Sequence, residues 1–155
     1  MEGVFYMTYP ICCICSSGGH LHQLKKAVQN LKRPIFWISE ESKHTHSQFQ
    51  DLSHSFIINP HLSKLKYLAN AIQAFFILLR VRPKVIISTG AGIAIPMILI
   101  GKYLFRCKII FIESAADVVH PAKTPSLIYK YADLFIVQWE DMLKVFPRAK
   151  CSGVL

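Results

Sequence analysis

The chain has 155 residues, 52% of them hydrophobic and 17% charged, and 18 Lys and Arg against 9 Asp and Glu give it a formal net charge of +9. That length builds one domain with a real hydrophobic core and leaves no room for a second, and the apolar content excludes a disordered basic tail. The charge favours anionic partners: nucleic acid, anionic lipid headgroups or phosphorylated substrates.

Met1 to Pro10 lack the basic and apolar regions of a secretory signal. Five cysteines, three in one apolar run, suit a reducing compartment better than a disulfide framework. The chain is therefore expected in the cytoplasm. Ile11 to Cys15 reads as a short buried strand, and Leu21 to Leu31 as a helix with Leu21, Leu24, Val28 and Leu31 on one face. Pro34 to Ser39 is a second strand, completing a βαβ unit. Glu40 to Ser53 has no clear period and reads as a short helix or loop before a third strand near Ser55 to Ile58.

Leu62 to Val81 is long and apolar enough to suggest a membrane span by length alone. Asn70 and Gln73 interrupt its centre and a strand-like run follows Pro83, so the expectation is a crossover helix with a greasy face and cationic ends. The pattern continues with a strand at Val85 to Ser88, a glycine turn at Thr89 to Gly92, a helix from Ile93 to Phe105 and a strand at Lys108 to Ile112. A helix around Ser126 to Tyr131, a strand at Leu134 to Gln138 and a last helix at Glu140 to Val145 follow. Six strands separated by helices predict an α/β fold, a Rossmann-like doubly wound parallel sheet whose ligands sit outside the strand carboxyl ends.

Three strand ends carry chemistry. Cys12 and Cys15 have C-x-x-C spacing, but on a strand residues three apart face opposite ways, so packing is favoured over metal or redox chemistry. No metal site is expected, there or among the scattered histidines. Ser16-Ser17-Gly18-Gly19-His20 then opens a helix, where free N–H groups and the helix dipole suit a phosphate. The plainer alternative is a tight turn without a ligand. The sequence there is neither G-x-G-x-x-G nor a P-loop. Ser88-Thr89-Gly90-Ala91-Gly92 is a second such turn, facing the same crevice if the two strands are adjacent. Glu113 ends the fifth strand, either as an ordinary strand terminus or as a general base for a hydroxylated substrate, with Lys123 nearby as a cation. The basic cluster Arg80-Val81-Arg82-Pro83-Lys84 and the apolar residues before it read as a solvated helix end or a membrane-facing stripe. Neither a stacking-aromatic motif nor a recognition helix supports nucleic acid.

Taken in order, "SSGGHL", "STGAGIAIP", "FIES" and "YADLFIVQWEDMLKVFPRAKCSGVL" resemble the PssD-type bacterial exopolysaccharide proteins. They are also similar to the membrane-anchoring subunit of the two-chain UDP-N-acetylglucosamine transferase of lipid-linked oligosaccharide synthesis. The likeness runs from about Ile11 to Leu155, and the tail is its most specific piece. Both groups resemble the N-terminal, acceptor-binding half of MurG-like GT-B glycosyltransferases. The resemblance implies a heterodimer, in which a separate donor-binding subunit holds the nucleotide sugar, and no cofactor on this chain.

Carried over by position, the resemblance puts Ser17, Gly18, Gly19, Gly90 and Gly92 at the phosphates of a polyprenyl-linked saccharide acceptor, with Lys123 as a further cation. It puts His20 or Glu113 at the reacting hydroxyl, and Ser152, Gly153, Val154 and Leu155 at the partner interface. Lys66, Phe75, Phe76, Arg80 and Arg82 would touch the membrane, peripherally, on the cytoplasmic face. The alternative is a noncatalytic scaffold that recruits and stabilises its partner at the membrane.

Overall fold

Short apolar runs, buried on both sides, decide the architecture. The computed structural model describes residues 9–61, 63–116 and 123–154. Among them, β1 (Ile11–Ile14), β2 (Ile35–Ser39), β3 (His54–Phe56), β4 (Val85–Ser88), β5 (Lys108–Ile112), β6 (Leu134–Val137) and β7 (Lys150–Cys151) form one parallel sheet in the order β3-β2-β1-β4-β5-β6-β7. Continuous runs such as VIIS and KIIFI are what a sheet covered on both faces requires. The expected Rossmann-like doubly wound fold is present. Its sheet has seven strands rather than six, because β7 is only two residues long, exposed, and visible in the sequence only as a Lys-Cys pair.

The helices divide between the faces. α1 (Gly19–Val28) and α2 (Lys43–Phe49) cover one, where Leu21, Leu24, Val28 and Phe49 pack with Cys13, Cys15, Trp37, Ile87 and Ile112. α3 (Lys64–Val81), α4 (Ala94–Tyr103) and α5 (Lys123–Ile128) cover the other, over Cys12, Ile14, Ile86, Ile109 and Phe111. Cys12 and Cys15 thus lie in opposite cores, as strand alternation dictates. Leu31 departs from the expected apolar face: α1 stops at Val28, which leaves Leu31 44% exposed. Glu140–Lys144 is a 3-10 helix rather than an α-helix.

Capping made α2 out of a stretch with no apolar period. Ser42 Oγ accepts from Thr45 N at 3.0 Å while Ser42 N donates to Thr45 Oγ1 at 2.9 Å, a reciprocal box that satisfies the first turn. The polar residues inside α3 have an equally local cause. Asn70 is fully buried, and its Nδ2 donates to Ile58 O at 2.7 Å and, more weakly, to Ile93 O at 3.4 Å. Gln73 Oε1 accepts from Ile58 N at 2.8 Å. The two side chains pin the crossover helix to the strand it leaves and to the start of α4. No described helix is long and apolar enough to cross a membrane.

α3 nevertheless keeps a second apolar face. Leu65, Leu68, Ile72, Phe76 and Leu79 recur at steps of three and four and are all exposed, Leu65 to 80% and Phe76 to 61%. Lys64 and Lys66 lie at one end of this stripe, and Arg80 and Arg82 at the other. Phe75 is turned further inward, half-buried with its ring 5.8 Å from that of Phe105.

The sheet order reverses between β1 and β4. The chain builds outward through β2 and β3, returns by α3 to pair β4 beside β1, and then builds outward the other way. The crevice beyond the carboxyl ends of β1 and β4 is where such a sheet receives a ligand.

Candidate functional site

A cavity of about 220 Å³ lies at this reversal, walled by His20, Thr89, Gly90, Ala91, Ser114, Thr124 and Pro125. Four chain segments meet there: the start of α1, the turn after β4, the loop after β5 and the start of α5. The described wall carries one imidazole and the hydroxyls of Ser114, Thr124 and Thr89, the last of which gives its hydrogen to the His20 carbonyl, with no lysine or arginine.

Backbone conformation sets the first two segments. Gly18 caps α1 at φ 82°, ψ −135°, a combination closed to residues with a Cβ, so the chain turns directly from β1 into the helix carrying His20. Gly90 sits at φ 120° with the His20 ring against it. A Cβ there would lie 3.3 Å from His20 Cε1 and 3.7 Å from Phe111 Cζ. Thr89, 1% exposed, donates from Oγ1 to the His20 carbonyl at 2.8 Å, and Gly90 N donates to Ser88 Oγ at 3.1 Å. His20 Nδ1 is buried and accepts or donates no hydrogen bond among the described residues.

The other wall rests on the end of β6. Gln138 Nε2 donates to Glu113 O at 2.8 Å, and Trp139 Nε1 donates to Ala115 O at 2.8 Å. The Gln-Trp pair of the tail thus holds the loop that presents Ser114.

The sequence-predicted residues separate on this geometry. His20 and Gly90 reach the cavity wall together. Gly92 is one residue further on, where a Cβ would meet Tyr67 Oη at 3.0 Å, so its role is close packing of the turn against α3. Gly18 and Gly19 are exposed beside the wall. Ser17 is engaged elsewhere: its N–H and Oγ both donate to Glu40 Oε1, at 2.9 and 2.7 Å. A phosphate binding there would have to displace the chain's own carboxylate.

Glu113 is 1% exposed and absent from the described wall, which its neighbour Ser114 lines instead. Lys123 is exposed at the start of α5, next to Thr124. Ser152 N extends β7 by donating to Val137 O at 3.0 Å, Gly153 and Val154 are exposed at the sheet edge, and Leu155 lies outside the described residues. No group of three or more His, Cys, Asp or Glu among the described residues is placed to share a metal.

Thr89, Ala91, Ser114, Thr124 and Pro125 complete the wall without having been singled out as contacts. Thr89, Ala91 and Ser114 had a usable signal, since they adjoin glycines or a carboxylate at strand ends. Thr124 and Pro125 follow Lys123, which was singled out as a cation, but only tertiary packing brings the start of α5 to the crevice.

The model of the family described as "oligosaccharide biosynthesis protein Alg14 like" matches residues 58–155. The chain belongs to the Alg14-like family. The match includes the second glycine turn, Ser114, α5 and the tail, and begins after "SSGGHL", so it is shorter than the resemblance read from Ile11 onward.

Among Alg14-like relatives named UDP-N-acetylglucosamine transferase subunit ALG14, the Candida albicans protein is 36% identical over 83 residues, 50% of this chain and 38% of its own length. That of Kluyveromyces lactis is 44% identical over 48 residues, 31% of this chain and 20% of its own length. That of Debaryomyces hansenii is 36% identical over 78 residues, 47% and 34%. The matched stretch is thus well under half of each relative. Among solved structures, MurG of Acinetobacter baumannii aligns with a TM-score of 0.68 at 14% identity, over 84% of this chain and 41% of that one. The UDP-GlcNAc 2-epimerase of Methanocaldococcus jannaschii aligns at 0.66 and 12% identity, over 89% and 42%. At that identity the likeness is one of fold, and it is to less than half of each larger chain.

Proposed function

We propose that this chain is the acceptor-binding subunit of a two-component inverting glycosyltransferase. A separate subunit would hold the nucleotide sugar, UDP-N-acetylglucosamine on the naming of the relatives. The acceptor would be a polyprenyl-linked saccharide of polysaccharide or lipid-linked oligosaccharide assembly. The observation that carries this reading is the wall of the switch-point cavity, which matches a neutral, hydroxyl-rich ring better than a diphosphate. The lipid-linked phosphates would lie at the rim, beside the exposed Gly18-Gly19 turn and Lys123.

In this reaction the acceptor hydroxyl attacks the anomeric carbon of the donor sugar, a C–O bond forms on the opposite face, and the bond to the nucleoside diphosphate breaks. The hydroxyl proton passes to His20, the one imidazole on the described wall of the cavity. Imidazole suits this role because a ring nitrogen of its neutral form accepts a proton. Glu113, away from the described wall, is the weaker base.

The exposed stripe of α3 would seat the subunit peripherally on the cytoplasmic face of the cell membrane, apolar side chains in the headgroup boundary and cationic ends on anionic lipid. PssD-type exopolysaccharide assembly is one such setting.

The test is reconstitution with the donor-binding subunit, UDP-N-acetylglucosamine and a short-chain polyprenyl-diphosphate saccharide. The expected result is transfer by the pair and a loss of about 10²–10⁴-fold in kcat for His20→Ala, the range of a general base. Full activity of the His20→Ala pair would instead leave the chain a scaffold.

A further inference from the structure

We propose that Thr89 is a positioning residue for His20. Its buried hydroxyl tethers the first turn of α1 to the end of β4 and so holds the imidazole over the cavity. This extends the proposed proton role of His20 and rests on it for its catalytic consequence, though not for its geometry.

The hydrogen bond spans 69 residues of sequence and joins the two turns that face each other across the sheet reversal. The His20 carbonyl belongs to a helix and can accept the α-helical bond from the next turn, so the Thr89 donor is additional to the helix's own needs. Its effect is to fix where α1 begins. That placement matters because no hydrogen bond to Nδ1 fixes the ring among the described residues, so the position of the ring against Gly90 follows the position of the helix.

Two substitutions separate positioning from bulk. Thr89→Val keeps the shape and removes the hydroxyl, whereas Thr89→Ser keeps the hydroxyl and removes a methyl. In the labelled full-length chain, the nuclear Overhauser contact between His20 Hε1 and Gly90 Hα is expected in the wild type and Thr89→Ser, and to be lost in Thr89→Val. In the reconstituted pair, Thr89→Val is expected to lower kcat by about 10–10²-fold with acceptor KM nearly unchanged, as misplacement of a catalytic group does. Thr89→Ser is expected to restore most of it. If Thr89→Val does not fold, Thr89→Ala takes its place.

An unchanged His20–Gly90 contact in the hydroxyl-free variant overturns the tether. Loss of that contact with kcat unchanged keeps the tether and overturns the proton role of His20, so the two failures are distinguishable. A fall in kcat with the contact intact also overturns the proposal, since Thr89 would then act directly on the substrate.

Discussion

Replacing Gly90 by alanine is expected to remove most transfer activity from the reconstituted pair while leaving the chain folded. At φ 120° a Cβ carries backbone strain of about 1–3 kcal/mol, a fraction of the roughly 5–15 kcal/mol that holds a domain of this size together. The functional cost is larger than the thermodynamic one. The new methyl would press on His20 Cε1 at 3.3 Å, with Phe111 close behind at 3.7 Å. Phe111 is fully buried and stacked on Phe135, so the ring of His20 is the group that yields. A displacement of that kind at a reacting group costs about 10²-fold in rate.

The neighbouring position gives the opposite sign. Ala91 holds φ 76° with a Cβ already present, and Ala91→Gly is expected to raise thermal stability by relieving strain of about 1–2 kcal/mol, less the entropy glycine adds to the unfolded chain. Thermal melts of the two variants check this: equal shifts of the same sign would contradict the conformational account of the turn.

Replacing both Leu65 and Phe76 by glutamate is expected to abolish binding to vesicles containing anionic lipid without lowering the melting temperature. Both side chains are exposed on the same face of α3, so neither contributes much to the core. If each buries even about 1.5 kcal/mol of apolar surface in the headgroup boundary, their joint loss lowers partitioning by about 10²-fold. The introduced charges add repulsion from the lipid. Neutralising Lys64 and Arg80 instead is expected to weaken binding by about 1 kcal/mol per cation at low ionic strength, an effect that salt removes. Vesicle cosedimentation distinguishes the two contributions. Unchanged cosedimentation of the double glutamate variant would mean that the stripe does not face lipid.

The sheet was legible because its physics is local. Runs such as Val85–Ser88 and Lys108–Ile112 are too short and too evenly apolar to be anything but doubly covered parallel strands, and their observed bounds match the expected ones. β7 was not legible, because two exposed residues become a strand only when β6 offers them an edge. α2 escaped a periodicity reading for a different reason: it is held by the Ser42–Thr45 box rather than by an apolar face.

The site was half legible. Glycines and a histidine after β1 and β4 marked the crevice, because a backbone that must turn tightly beside a ligand uses those residues. The role of Ser17 was not visible, since it depends on Glu40 arriving from the end of β2 to take both of its donors. Glu113 read as either an ordinary strand terminus or a general base, and its burial, with Ser114 rather than Glu113 on the described wall, depends on the fold.

Which ligand enters the switch-point cavity is the most direct test. The labelled chain is titrated separately with a short-chain polyprenyl-diphosphate saccharide and with UDP-N-acetylglucosamine, and backbone resonances are followed. The acceptor is expected to shift His20, Thr89, Gly90, Ala91, Ser114 and Thr124 saturably, and the nucleotide sugar to leave them unmoved. Saturable shifts of the same residues by the nucleotide sugar, with none from the acceptor, would contradict the assignment of this chain to the acceptor side of the reaction.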